Sequence, residues 1–459
     1  MPLARRIQKA IPPARRLTMS LRDMGYDFNT AVADIVDNSI EAEANNIWIT
    51  VKFEGAASWV TIADDGAGMD AKTLVTAMTY GAERDYDVDS LGRFGLGLKT
   101  ASTSQCRCLT VASRTNPRRG TIAIRQWDLD YIDRSNDWDL IILERQECPL
   151  QLLAPLQTHT GTVVLWERLD RIIEYKHPEG EAARKRILQM CRELESHLRM
   201  VFHRFLDGSA RKGKLKIFIN GNQIEPWDPF ARGEPNTQAL DALEFQVPAH
   251  GAVSLVRFEP YILPHRSRFS TIKAFEDSTG PDKWNRQQGF YIYRADRMIQ
   301  SGGWCGLRTL DEHTKLARIA LSFSPKLDAE FKINVAKMRV HLPAELRKSV
   351  EEALAPIIRA AQLEYRQGGK EGAGIRGGEN SPVSRAQPVR KPHQNGHTPD
   401  YGSSHGPSDS NTWTLTALRD RLMAVANEKE QQVLRRLFER LDETLGGSRS
   451  MHTRKGDVE

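Results

Sequence analysis

Residues 92–99 read GRFGLGLK, three glycines and a lysine that run straight into the helix-like stretch KTASTSQC. Glycine loses more backbone freedom on folding than any other residue, so a cluster of them ahead of a helix implies a backbone that must come close to something. Bare N–H groups at that place suit phosphate oxygens. The spacing is not that of a Walker loop, G-x-x-x-x-G-K-[ST]. Two strand-like stretches precede the loop, which also separates it from the first turn of a dinucleotide-binding fold. On its own the loop decides nothing.

Two earlier stretches narrow the reading. AVADIVDNSIEAEA (31–44) has helical spacing that puts Asp34 and Asn38 on one face. A carboxamide oxygen is a hard ligand suited to Mg2+, and a neighbouring carboxylate can orient water and take its proton. A solvated helix face with a chance Asp and Asn fits the same residues. ADDGAGMD (63–70) closes a strand at Asp64, and Gly66 and Gly68 leave a tight, bare backbone behind it. A carboxylate there can accept from an exocyclic amine while the bare backbone admits a flat ring; read alone, the stretch is equally an acidic turn.

Taken in order, the helix with D-x-x-x-N, the strand with D-x-G-x-G, a charged loop and then G-x-x-G-x-G opening a helix, these stretches resemble the GHKL ATPase superfamily. That group holds gyrase B subunits, MutL proteins, the ninety-kilodalton heat-shock chaperones and histidine kinases. THTGTVVLWERLD (158–170) agrees, since Gly161 and Thr162 open a strand as the late Gly-Thr motif of that group does. The resemblance implies ATP as ligand with Mg2+, and an α+β fold: a Bergerat-type α/β sandwich followed by a mixed α/β transducer, a disordered linker and a C-terminal helix. It implies that Asp64 takes the adenine amino group, with Thr162 at the same edge, and that Gly66, Gly68 and Met69 wall the pocket. Asn38 would ligate Mg2+. Gly92, Gly95, Leu96 and Gly97 would cradle the phosphates, with Lys99 reaching them, and the stretch from Asp70 to Leu91 would be a mobile lid. Asp34 stands where the group usually has a glutamate as general base; a carboxylate one methylene shorter predicts slow turnover.

The first histidine of these 459 residues is His159, so no phosphoacceptor helix is expected ahead of the ATPase motifs, and the histidine-kinase branch is not the expected one. VADIVDNSIEA, the continuation GLKTAS and GFYIYRADRMIQSGGW (289–304) are most similar to the Microrchidia (MORC) ATPases and their prokaryotic relatives. The resemblance implies ATP-driven homodimerisation and a transducer lysine that reaches the γ-phosphate. Lys337, in KINVAKMRV, is the expected residue, with Lys332 second. It further implies a clamp on double-stranded DNA, a separate nuclease or helicase partner, and a place in defence or restriction-type systems. A chaperone-like or signalling switch with a protein client remains the other reading.

The rest of the chain frames these motifs. Its 459 residues, 40% hydrophobic and 27% charged, predict a soluble protein of several domains. These are a basic arm (1–17), an ATPase domain (18–170), a transducer-like domain (171–366), a linker (367–411), an amphipathic helix or helical hairpin (412–446) and a tail (447–459). The linker is rich in Gly, Pro and Ser with almost no large apolar residues, too few to drive ordering. NNIWITVKF (45–53) alternates with period two and predicts a strand with Ile47, Ile49, Val51 and Phe53 on one face. Five scattered cysteines form no C-x-x-C pair and predict inert thiols. No apolar run is long enough to cross a membrane, and the interrupted basic N-terminus is no secretory signal, so a cytoplasmic location is expected. A net charge of +6 is compatible with nucleic acid without arguing for it. Basic residues cluster at Arg5, Arg6, Lys9, Arg15 and Arg16 and again in RKGKLK (211–216), and a solvated face explains such clusters more often than a phosphate track.

Overall fold

The computed structural model describes residues 10–23, 25–82, 91, 97–118, 121–174, 177–249, 252–333 and 340–375, together with Gln431 and Phe438. Met1–Ser381 is one compact unit; Pro382–Glu459 is a second, of which only those last two residues are described, both helical.

Among the described residues of the first unit, strands β1 (Asn46–Lys52), β2 (Trp59–Asp64), β3 (Cys108–Arg114), β4 (Ala123–Asp128), β5 (Ile141–Ile142), β6 (Gly161–Glu167), β7 (Lys216–Ile219) and β8 (Asn222–Gln223) form one sheet, in the order β5-β4-β3-β6-β2-β1-β7-β8. The predicted alternation of β1 holds: Ile47, Ile49 and Val51 are buried. The central strand β6 is buried on both faces, with Val164 and Trp166 in the large core and Val163 and Leu165 in a smaller one behind it. A strand covered on both sides has no use for alternation, hence the continuous run VVLW.

Helices α1 (Ala14–Arg22), α2 (Phe28–Glu41), α3 (Ala71–Met78), α4 (Gly97–Thr103), α5 (Leu129–Ser135) and α6 (Leu150–Leu153) accompany the first six strands, and α7 (Glu181–Val201) and α8 (His203–Asp207) follow. α2 starts where the Asp27 side chain accepts from the Thr30 N–H at 2.7 Å, a standard N-cap. It is buried on nearly all sides, with α4 and α7 packed against it, and so it carries its polar residues into the interior.

A second sheet holds β9 (Gln238–Ala239), β10 (Leu243–Ala249), β11 (Ala252–Ile262), β12 (Gly289–Arg294), β13 (Arg297–Ser301) and β14 (Ala317–Phe323), in the order β10-β11-β14-β12-β13 with β9 on β11. Helices α9 (Ile272–Ser278) and α10 (Lys283–Arg286) lie between β11 and β12 in sequence, and α11 (Ala344–Ile375) packs on β10, β11 and β14.

Four expectations change. β7 pairs parallel with β1, Ile47 opposite Ile217, so the boundary expected at residue 170 falls inside the first sheet. Within the stretch expected as a lid, residues 71–78 are a helix capped by Asp70, with Leu74 and Met78 in the core; residues 83–90 lie outside the described set. Helix α11 continues to Ile375, past the linker boundary expected at 366. Residues 14–17 of the expected basic arm belong to α1, where Ala14 is buried. The rest of the linker and the 412–446 helix lie outside the described residues, Gln431 and Phe438 excepted.

Candidate nucleotide site

The site is assembled on three elements: α2, the β2 end, and the start of α4. Asp34 is buried in the middle of α2, and the Tyr26 hydroxyl donates to its Oδ2 at 2.8 Å. A Cβ added to Gly97, the first residue of α4, would lie 3.4 Å from the same oxygen, so this carboxylate faces the beginning of α4. Asn38, one turn further along α2, is exposed while its neighbours Asp37 and Ser39 are buried. The helix thus offers an amide to solvent beside a carboxylate it keeps inside.

Asp64 ends β2 in a tight set of donors. Its Oδ1 accepts from the backbone N–H of Gly66 at 3.0 Å and of Thr162 at 3.1 Å, and its Oδ2 from the Ser39 hydroxyl at 2.9 Å. A carboxylate offers about four lone-pair positions, so Oδ1 is filled and Oδ2 keeps one place for a further donor. Burial raises the Asp64 pKa above the ordinary carboxylate range, with the Ser39, Gly66 and Thr162 donors opposing that rise.

The glycines after Asp64 serve the fold as much as any ligand. A Cβ on Gly66 would lie 2.6 Å from the Ala42 carbonyl oxygen, and one on Gly68, whose φ is +68°, would lie 2.1 Å from that of Arg114. Met69 follows, its N–H bound to the Ser113 hydroxyl at 2.7 Å, and that hydroxyl also meets Thr162 Oγ1 at 2.9 Å. Asp64 is therefore joined to Thr162 directly and, through Thr162 and Ser113, to Met69, while Ser39 ties it to α2.

Lys99 does not take the expected position. Its ammonium is buried and donates to the Ala77 carbonyl at the end of α3, 2.9 Å away. Burial lowers its pKa to about 8. Gly92, Gly95, Leu96 and Lys337 lie outside the described residues; Lys332 is exposed, with φ +49°. In RKGKLK, Lys212 pairs with Glu41 of α2 at 2.8 Å and Arg211 with Asp296 at 3.5 Å, leaving Lys214 and Lys216 on the surface.

Sequence reasoning missed Tyr26, Ser39, Ser113 and, from the second sheet, Arg294 and Arg297. Arg297 Nε donates to Asp37 Oδ1 at 2.9 Å, and its Nη2 lies 3.7 Å from Asp34 Oδ1. The available signal was two arginines bracketing a two-residue turn, RADR, at the end of an apolar strand.

Residues 26–161 match the family model described as histidine kinase-, DNA gyrase B- and HSP90-like ATPase. The matched span takes in Asp34, Asn38, Asp64 and the glycine loop. The match supports an ATPase domain of the GHKL class there, and with it ATP binding and hydrolysis as the general activity. No curated protein matches the chain.

The described residues contain no group of three or more acidic, His or Cys side chains able to cage a metal. A lone exposed amide still fits Mg2+, which takes one or two protein ligands and fills its shell with water and phosphate oxygens.

Proposed function

We propose that the chain is a slow, Mg2+-dependent ATPase that dimerises on ATP and acts as a clamp on double-stranded DNA. The observation that carries the nucleotide part is Asp64, a buried carboxylate with one oxygen saturated and the other keeping room for a single donor such as the adenine 6-amino group. In this reading Gly66, Gly68, Met69 and Thr162 shape the adenine pocket, and Asn38 holds Mg2+ against the phosphates. Asp34, fixed by Tyr26, orients water and accepts its proton. Gly92, Gly95, Leu96 and Gly97 cradle the phosphates, and Lys337 senses them from the second half of the chain. Lys99 has a structural part beneath α3.

The MORC-like resemblance of the motifs supports the clamp, with a nuclease or helicase as a separate partner and a role in defence. The test is steady-state ATP hydrolysis at low salt, with and without long double-stranded DNA, and Asp34→Asn as the blank. DNA stimulation that disappears in the variant and weakens steeply with salt, as counterion release requires, supports the clamp. Equal rates with and without DNA refute DNA coupling and favour a protein client.

A further inference from the structure

The hairpin β12–β13 reverses through Ala295 and Asp296, both at positive φ, a tight two-residue turn. Arg294 and Arg297 flank it and pair directly across the strands. Like charges in that relation oppose each other, and both arginines are almost fully buried. Taking two guanidinium groups out of water side by side is costly unless each has a well-placed partner. Their partners lie in different places. Arg294 grips Asp328 through Nε and Nη2 at 2.7 and 2.8 Å, and its Nη1 donates to the Leu91 carbonyl at 3.1 Å. Arg297 crosses to the first sheet's helix α2, where it binds Asp37 and approaches Asp34. The turn is itself tied to the first sheet's side of the chain: Asp296 accepts from the N–H of Arg211, just ahead of β7, at 3.0 Å and pairs with Arg204 of α8 at 3.3 Å.

We infer that Arg297 is a positioning residue for ATP hydrolysis, through which the second sheet sets the orientation of Asp34. The inference rests on the reading of Asp34 as the base. Arg297 touches no place assigned above to nucleotide. It fixes α2 at Asp37, the residue next to Asn38, and approaches Asp34 Oδ1 while the Tyr26 hydroxyl binds Oδ2, so that one oxygen of the carboxylate faces the hairpin and the other faces α4. A shift of the hairpin relative to the first sheet would turn the helix and move that second oxygen. Hydrolysis is sensitive to such a shift, since misplacement by about 1 Å can cost about a hundredfold. Adenine recognition at Asp64 is less exposed to it, since of that carboxylate's three donors only Ser39 stands on α2 while the Gly66 and Thr162 N–H groups do not.

The test compares full-length wild type with Arg297→Lys, Arg297→Met and Asp37→Asn, using steady-state hydrolysis, equilibrium binding of a non-hydrolysable ATP analogue with Mg2+, and thermal melts. The expected result is analogue affinity within about threefold of wild type and a kcat at least about tenfold lower in Arg297→Met. Arg297→Lys should fall between, because lysine keeps the charge but not the fork that spans two carboxylates. The double variant Arg297→Met/Asp37→Asn should be no slower than the worse single, the mark of one shared contact. A kcat within about twofold of wild type in Arg297→Met overturns the inference. So does a parallel loss of kcat, affinity and melting temperature in every variant, which would make the arginine a structural bolt. If Arg297→Met does not fold, Asp37→Asn decides by the same readouts. Wild type that fails to bind the analogue refutes the ATP reading itself and the inference with it. Wild type that binds without hydrolysing leaves the nucleotide site standing but refutes Asp34 as base and the inference with it. Wild type that hydrolyses while Arg297→Met matches it overturns the inference alone.

Discussion

Asp64→Asn separates recognition from folding. At this site the amide oxygen can take the place of Oδ1 and accept from the Gly66 and Thr162 N–H groups, as now. The NH2 then stands where Oδ2 was. The Ser39 hydroxyl, which also lies 3.3 Å from the Ile35 carbonyl, can turn its hydrogen there and accept from the new amide. The internal network survives, and one buried charge is gone. Because the folded pKa of Asp64 is raised by burial, its contribution to stability is greatest with the carboxyl protonated and is lost as pH rises through the folded pKa. At neutral pH the variant should therefore melt no lower than wild type, and that pH dependence should vanish. Binding is another matter. The variant presents a donor to the adenine amine, itself a donor, and forfeits a hydrogen bond to a charged acceptor, worth about 1.5–3 kcal/mol. That is roughly a 10- to 150-fold rise in Kd for ATP. Inosine triphosphate, which carries a carbonyl at the same ring position, should lose far less, so the ratio of the two affinities shifts toward inosine. Calorimetric titration of both nucleotides measures this. ATP affinity within about threefold of wild type, with the ATP-to-inosine preference unchanged, would refute the placement of adenine at Asp64.

Gly161→Ala should be among the most damaging single changes: a Cβ there would lie 1.9 Å from the Asp64 carbonyl oxygen, at φ +131°. We expect a loss of about 2–4 kcal/mol in urea unfolding, against about 1–2 for Gly25→Ala, where φ is +81° and nothing lies within 4 Å. Equal costs would contradict the close approach of β6 to the β2 end. For Lys99, whose folded pKa of about 8 lies below the 10.5 of an unburied lysine, the unfolded chain binds the extra proton. Wild-type stability should thus rise between pH 8 and 10.5, by at most about 3 kcal/mol, and Lys99→Met should abolish that rise; melts across the range decide.

What could be read from the chain was local. Period two in NNIWITVKF, the cap-and-turn chemistry around Asp64 and the four-residue spacing of Asp34 and Asn38 each express a rule that acts within a few residues. What escaped depends on distance along the chain. Arg297 meets Asp37 across 260 positions, and nothing near either residue announces the other. Lys99 sits beside a glycine loop and so reads as a phosphate ligand, yet its stem follows the α4 face inward to α3. The expected lid was inferred from its charged end, AERDYDVDS, while the apolar Leu74 and Met78 that pull its first half into the core were passed over. The expected boundary at 170 followed the last strand motif, and a parallel partner such as β7 leaves no mark in the sequence of β1.

That partnership bears on synthesis. β1 leaves the ribosome early, and the strand that covers its outer edge, β7, is made more than 160 residues later. At roughly 5–20 residues per second the interval is about ten to thirty seconds. Through that time a half-finished sheet would present Ile47 and Ile49 on a strand whose outer hydrogen-bonding groups await their partner, an invitation to any neighbouring nascent chain. A shortened protein ending near residue 170 would keep that open edge permanently, so attempts to isolate the ATPase motifs should carry the chain at least through β8, or expect insoluble material.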